Sequence, residues 1–316
     1  MLGWLGKKTD TGWTAVDAAG DGLYGVSVLP PHTPGGKPRV LKCGAMPGAQ
    51  LNAGALAGLA GKISVPGCPW TLPLERKAYT LLVVEEPNVQ PGELEQSVRW
   101  SISSLIDYSA DEANIAVMKI PTATLLPNRT AHIYVVAAKS EVVARYRDLF
   151  KQARISLQAI DVRETAQRNI AALAEKPGEG VGLLSIGKQG VHFTITFNGE
   201  LYLDRFVEEP LLVDPLADVD AMGRAGERMV LQVQRSLDYI GRTLQFITID
   251  RVLLAPMSGN SQLGDFIAQN IQVPVAELDL ASLFDFSETP ELARKENQVP
   301  YFFALGAALR FMKKTA

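Results

Sequence analysis

Three groups of residues in this chain have types and spacing that suggest chemistry. The first is a glycine-bounded turn, Gly187-Lys188-Gln189-Gly190, between two short apolar stretches. Glycine lets a backbone come close to a ligand, and Lys188 could meet an anion there, although a solvent-exposed turn lysine is commoner. The second is a set of four arginines, Arg224, Arg228, Arg235 and Arg242. At roughly 100° per helical residue they fall within about 40° of one another. A solvated basic face is the ordinary outcome of such a stripe, and an anion or nucleotide contact the rarer one. The third is Cys43 and Cys68, the two cysteines of the chain. They match no metal or redox spacing and suggest a reducing compartment.

Composition sets the frame for these groups. The chain has 316 residues, so one large or two smaller cores are expected. With 47% hydrophobic and 21% charged residues it reads as an ordinary folded soluble protein. A net charge of −3 gives no global signature of nucleic-acid binding. No apolar run approaches the roughly 20 residues of a membrane span, and no signal peptide precedes the first charged stretch. A cytoplasmic location is the default expectation. The N-terminal MLGWLGKK pairs aromatic with basic residues, as an interface contact would. It is too short for a stable helix alone, so a frayed terminus is expected.

The elements that must position these groups follow from periodicity. Residues 181–207 read as three antiparallel strands. Val191, Phe193, Ile195 and Phe197 alternate with polar partners as in a half-buried strand. Asn198-Gly199 is a strong hairpin signal, since both turn positions need positive φ. Residues 14–29 read as strand, glycine turn, strand, with Asp17 near the close of the first strand and Gly20-Asp21-Gly22 in the turn. Leu51, Leu56, Leu59 and Ile63 give a weak helical stripe, and 79–84 is an apolar run of strand length. Leu94, Val98, Ile102, Leu105 and Ile106 share one helical face over 93–106. Trp100 falls off that face, and packing against a neighbouring unit is preferred over a partner-binding anchor. Strands at 114–120 and 132–137 precede a helix expected to be capped by Ser140. A strand and helix at 160–173 lead to a boundary at Lys176-Pro177-Gly178-Glu179-Gly180. The longest helix, 220–245, buries Met229, Val233, Leu237, Ile240 and Leu244 opposite the arginines. A strand at 249–255, a helix from about 263, an irregular charged stretch at 281–299 and a closing helix at 301–312 complete the chain.

The order of these pieces resembles the PilM family of type IV pilus assembly proteins, and more closely its mannose-sensitive-haemagglutinin (MSHA) pilus branch, MshI. The residues that carry the likeness are YTLLVVEEPNVQPGELEQSVRWSISSLIDY, IYVVAAKSEVVARYRDLFKQARISLQAIDVRETAQRNIAAL, LQVQRSLDYIGRTLQFITIDRVLLAP and YFFALGAALR. The resemblance implies an α/β, actin-like (ribonuclease-H-like) two-domain fold with an inserted, displaced subdomain. The expected division is 1–78 with 158–178 as the first half, 79–157 as the inserted unit and 179–316 as the second half. It also implies a cytoplasmic platform protein at the inner face of the bacterial inner membrane. Its partner would be the N-terminal tail of a single-span, PilN-like pilus protein, held in a concave seam beside the inserted unit. Self-association stays open, and no nucleic acid is expected.

The resemblance further assigns a nucleotide cleft. Asp17 would stand in the Mg²⁺ environment, Gly20 and Gly22 at the first phosphate turn, and Gly187 and Gly190 at the second. Gln232 and Arg235 would lie on the adenosine-side helix, and Gly259 at the third glycine segment. Several positions depart from the actin-like pattern. Ala19 and Tyr24 replace a glycine and a polar residue, Ser185 replaces an acidic residue, and Gln232 replaces a glutamate. Ala255-Pro256-Met257-Ser258-Gly259 replaces a run of glycines. ATP with Mg²⁺ is therefore expected to bind weakly at best, with little or no hydrolysis. Two alternatives share the architecture: an active ATPase cycling between open and closed clefts, and the cytoplasmic module of a type II secretion platform. The latter usually continues into a membrane span, which is not expected here.

Overall fold

The computed structural model describes residues 12–121, 130–187, 190–208, 219–257 and 261–312. The MLGWLGKK segment, Lys188, Gln189 and Gly259 lie outside the described residues. The chain begins with an antiparallel meander, β1 (Trp13–Ala19), β2 (Gly22–Leu29) and β3 (Arg39–Pro47). Helix α1 (Ala53–Ile63) is capped by the Asn52 side chain and buries Leu56, Leu59 and Ile63. Strand β4 (Trp70–Pro73) then runs parallel to β1.

A three-stranded unit follows, made of β5 (Thr80–Glu85), α2 (Leu94–Ile102), β6 (Ala113–Lys119), β7 (His132–Lys139) and α3 (Ser140–Gln152). Its strand order is β5-β7-β6, so β6 is an edge strand. Alternation along β7 divides its faces: Ile133, Val135 and Ala137 pack with α2, and Val136 and Ala138 with the α3 side. Strand β8 (Leu157–Asp161) returns beside β4 and leads into α4 (Arg163–Ala174).

The second meander is β9 (Gly180–Gly187), β10 (Gly190–Phe197) and β11 (Glu200–Val207). Asn198 and Gly199 take φ of 51° and 72°, the left-handed pair that a two-residue hairpin of matching twist requires. Helix α5 (Val219–Thr243), strand β12 (Ile249–Leu254), helix α6 (Ser261–Asn270) and strand β13 (Val275–Glu277) complete this half. Short helices α7 (Leu280–Leu283), α8 (Lys295–Gln298) and α9 (Phe302–Ala307) end the described chain.

The two large sheets share one plan. Their orders are β3-β2-β1-β4-β8 and β11-β10-β9-β12-β13, each an antiparallel meander extended by two parallel strands. This duplicated ribonuclease-H-like order makes the fold actin-like. A continuous core joins the halves: Ala15 and Val26 of the first sheet, Val181 and Leu183 of the second, and Ala166, Ile170, Ala304 and Leu305 of α4 and α9. The two helices touch through Gly306, where a Cβ would lie 2.2 Å from the Ala166 carbonyl oxygen. Only glycine permits that approach.

Five local expectations are corrected. β10 is buried along its whole length rather than on one face. Its phenylalanines pack toward α5, while Thr194 bonds Gln167 of α4. Helix α2 stops at Ile102, short of 106, and Trp100 is 76% exposed rather than packed on a neighbour. Ser140 is the first helical residue and not the cap; its hydroxyl accepts from Asn114 at 2.8 Å. Residues 281–299 are only partly irregular: short helical turns at Leu280–Leu283, Pro290–Ala293 and Lys295–Gln298 interrupt the stretch, and Phe284, Phe286 and Leu292 within it are buried.

Candidate functional site

The first turn of α4 gathers most of the buried charge. Asp161, at the end of β8, accepts from the Val162 N–H at 3.1 Å and from the Thr165 hydroxyl, which ties the end of the strand to the first turn of the helix. Its other oxygen accepts from Arg310 at 2.6 Å. Arg163 then reaches back to β1, where its Nη2 donates to Asp17 Oδ1 at 3.0 Å. The Arg163 guanidinium also lies 4.2 Å from the centre of the Phe303 ring. Burial raises the Asp17 carboxyl above the usual range, and the Arg163 charge opposes that rise.

Glu164 points the other way, toward the second sheet. It is fully buried, and its Oε2 accepts from the Tyr79 hydroxyl at 2.5 Å. Its Oε1 lies 3.4 Å from Arg76 Nε and 3.7 Å from His192 Nε2 without a hydrogen bond. His192 in turn pairs with Asp204 of β11. The Glu164, His192 and Asp204 donor atoms all lie within 4.8 Å of one another. Burial opposes a charge on His192, and Asp204 and Glu164 outweigh it, so the imidazole is raised above its ordinary value.

The positions expected to hold a nucleotide are placed as follows. Asp17 lies in β1 with its carboxylate on Arg163, and Gly20 and Gly22 sit at a two-residue turn between β1 and β2. Gly22 is needed by its neighbour strand, since a Cβ there would lie 2.7 Å from the Met46 carbonyl oxygen. Gly187 and Gly190 end β9 and begin β10. The Ser185 hydroxyl donates to Gln167 of α4 at 2.7 Å, which ties the second-turn position to the helix. Gln232 is half-buried and Arg235 exposed on α5, while Gly259 lies outside the described residues.

These residues do not fit a magnesium ion beside Asp17. The guanidinium of Arg163 already neutralises that carboxylate, and an added divalent ion would stand against a fixed cation in a buried place. No step involving a metal-activated water follows from this arrangement. Sequence reasoning missed Arg163, Glu164, His192 and Asp204. The available signal was a histidine and an aspartate inside apolar strands, at positions the alternation would have turned to solvent.

A cleft of about 600 Å³ opens between the three-stranded unit and the first sheet. One wall is the edge strand β6, whose Asn114 to Lys119 stretch lines it with Val136, Ala138 and Val143. The opposite wall carries Leu74, Ile160 and Val162, then Arg168 and Asn169 of α4, and finally Leu309, Arg310 and Met312. An open strand edge leaves backbone donors and acceptors unpaired, the usual template for an added extended segment.

No family model matches the chain, and no curated protein matches it by sequence. Among solved structures it is similar to a chain of the PilM–PilN type IV pilus biogenesis complex, with a TM-score of 0.74 and 17% identity. That likeness covers 96% of this chain and 99% of the other. A Bacteroides thetaiotaomicron protein with an actin-like ATPase fold gives a TM-score of 0.48 at 10% identity, covering 93% and 99%. The cytoplasmic domain of EpsL, an inner-membrane component of the Vibrio cholerae type II secretion system, gives 0.49 at 10%, covering 82% and 94%. At those scores the last two are remote likenesses only. The first extends over both large sheets and the three-stranded unit, and what it shows is the shared fold.

Proposed function

We propose that this protein is an actin-fold scaffold of a pilus or secretion assembly platform, which holds the cytoplasmic tail of an inner-membrane, PilN-like protein in the cleft beside β6. The observation that carries this reading is the cleft itself: a largely apolar floor along a strand edge that no described strand pairs, rimmed by Arg168, Asn169 and Arg310. A tail entering as an extended segment would gain apolar contact and backbone hydrogen bonds against the entropy lost on ordering. The full-length likeness to a chain of a PilM–PilN complex supports the choice of partner. In this reading 1–78 with 158–178 and 179–316 are the two halves, 79–157 is the inserted unit, and the MSHA branch is the setting. The location follows from the partner, at the inner face of the membrane; no described helix is long and apolar enough to cross one.

We further infer that the nucleotide site is degenerate, since Arg163 takes the Asp17 carboxylate that a magnesium ion would need. A labelled tail peptide titrated with the whole chain tests the scaffold reading. Binding at tens of micromolar or tighter is expected, with a loss of tenfold or more, roughly 1.4 kcal/mol, in Ala116→Arg, which fills the cleft from β6. Equal binding by the variant, or none by the native chain, would refute it.

A further inference from the structure

Outside the cleft, the most unusual chemistry in the molecule is the buried charge cluster around Glu164. Four elements meet there. Arg76 and Tyr79 come from the segment just before β5, Glu164 from α4, His192 from β10 and Asp204 from β11. Tyr134 of β7 stands near Asp204 from the three-stranded unit, and burial together with that carboxylate raises its phenol well above the ordinary value. The Arg76 guanidinium lies 5.2 Å from the Tyr79 ring centre and 5.1 Å from that of Phe206, and the Phe206 ring stands edge-on to His192 at 6.1 Å.

Charge decides which species occupies this cluster. Burial raises the Glu164 carboxyl above its ordinary range, and the His192 charge and the Tyr79 hydroxyl oppose that rise. With Glu164 and Asp204 ionised and Arg76 as one cation, a proton on His192 brings the sum to zero. A divalent metal on the same three donor atoms, with His192 neutral, would bring the same sum, Arg76 included, to one positive charge. The proton is the better fit. Glu164 joins the two sides of the junction by charge, through Tyr79 and Arg76 on one hand and His192 on the other, beside the contact of Arg76 with Phe206 and the apolar packing of Tyr134 and Ile120 on the second sheet.

We propose that Glu164, His192 and Asp204 form a proton-operated latch that fixes the three-stranded unit against the second sheet. With His192 protonated, both carboxylates are neutralised and Glu164 holds the Arg76–Tyr79 segment in place. When the proton leaves, Asp204 loses its charged partner and repels Glu164, which keeps Arg76 and the Tyr79 hydroxyl, and the hold on that segment weakens. A histidine stabilised in its charged form contributes fully below the unfolded imidazole value of about 6.5 and loses that contribution as pH rises through the folded value. The latch therefore releases on the alkaline side, whatever the cleft binds.

Two measurements on the whole chain test this. The chain has three histidines, His32, His132 and His192, so imidazole NMR signals can be followed through pH and assigned by loss of one in His192→Gln. His192 is expected to titrate above about 6.5, and Asp204→Asn to lower its midpoint, with proton affinity falling roughly tenfold per pKa unit. Amide exchange over residues 76–85, corrected for intrinsic rate, should be several-fold faster at pH 9 than at pH 6 in the native chain. It should be pH-independent in His192→Gln. Titration at or below 6.5, an Asp204→Asn midpoint unchanged, or exchange that is the same at both pH values would overturn the latch. So would a His192 signal that fails to titrate until EDTA is added, which would assign the cluster to a metal.

Discussion

Arg163 is the residue on which the reading of the nucleotide site turns. Its pair with Asp17 is almost wholly buried, with side-chain exposures of 13% and 3%. Removing one partner of such a pair leaves an uncompensated charge and typically costs about 3–5 kcal/mol. Arg163→Ala is therefore expected to lower unfolding free energy by about 3 kcal/mol, measured by urea denaturation at neutral pH. Asp17→Asn in that background should recover part of the loss, as a coupled pair does and independent sites do not. Trp100 is the contrasting case. At 76% exposure, Trp100→Ser should change stability by less than about 0.5 kcal/mol in the same assay. Cys43 is reduced and half-buried, and burial with Glu291 beside it pushes its thiol up to about 12. At pH 7.5 it should react with a thiol reagent far more slowly than a free cysteine.

At the scale of elements, most strands and helices were legible from the sequence, and the reasons differ from element to element. The β10–β11 hairpin was readable because Asn198-Gly199 names its own turn. Helix α5 was readable because its apolar stripe, Met229 to Leu244, runs for about four turns opposite exposed Arg224, Arg235 and Arg242. The short helices between 280 and 298 were not, because a turn of four residues is too brief to show a period. Both faces of β10 are covered, so the alternation of its polar residues, His192 among them, pointed to solvent although they are inside. The Asp17–Arg163 and Glu164–His192 pairs join residues far apart in the chain, and no local spacing announces them. The α4–α9 contact is a testable consequence of element packing. Gly306→Val would press a side chain onto the Ala166 carbonyl and is expected to cost about 1–3 kcal/mol or more, with the melting temperature falling accordingly.

For the whole molecule, the duplicated sheets and the shared core of α4 and α9 make a continuous frame, and the cleft beside β6 is the groove on it that an open strand edge lines. In an actin-like machine the nucleotide would join the two halves. Here that junction is crossed by Glu164 with His192 and by the apolar core, while Arg163 closes α4 onto β1. A nucleotide at a hundred times its Kd would stabilise the fold by about 2.7 kcal/mol. Millimolar Mg-ATP is therefore expected to leave the melting temperature essentially unchanged if the site is degenerate, as we propose. The most direct test of this account is calorimetric titration of the whole chain with the cytoplasmic tail of a PilN-like protein, with and without Mg-ATP. The scaffold reading predicts saturable binding with the same Kd in both conditions. No binding, or binding that requires Mg-ATP, would contradict it.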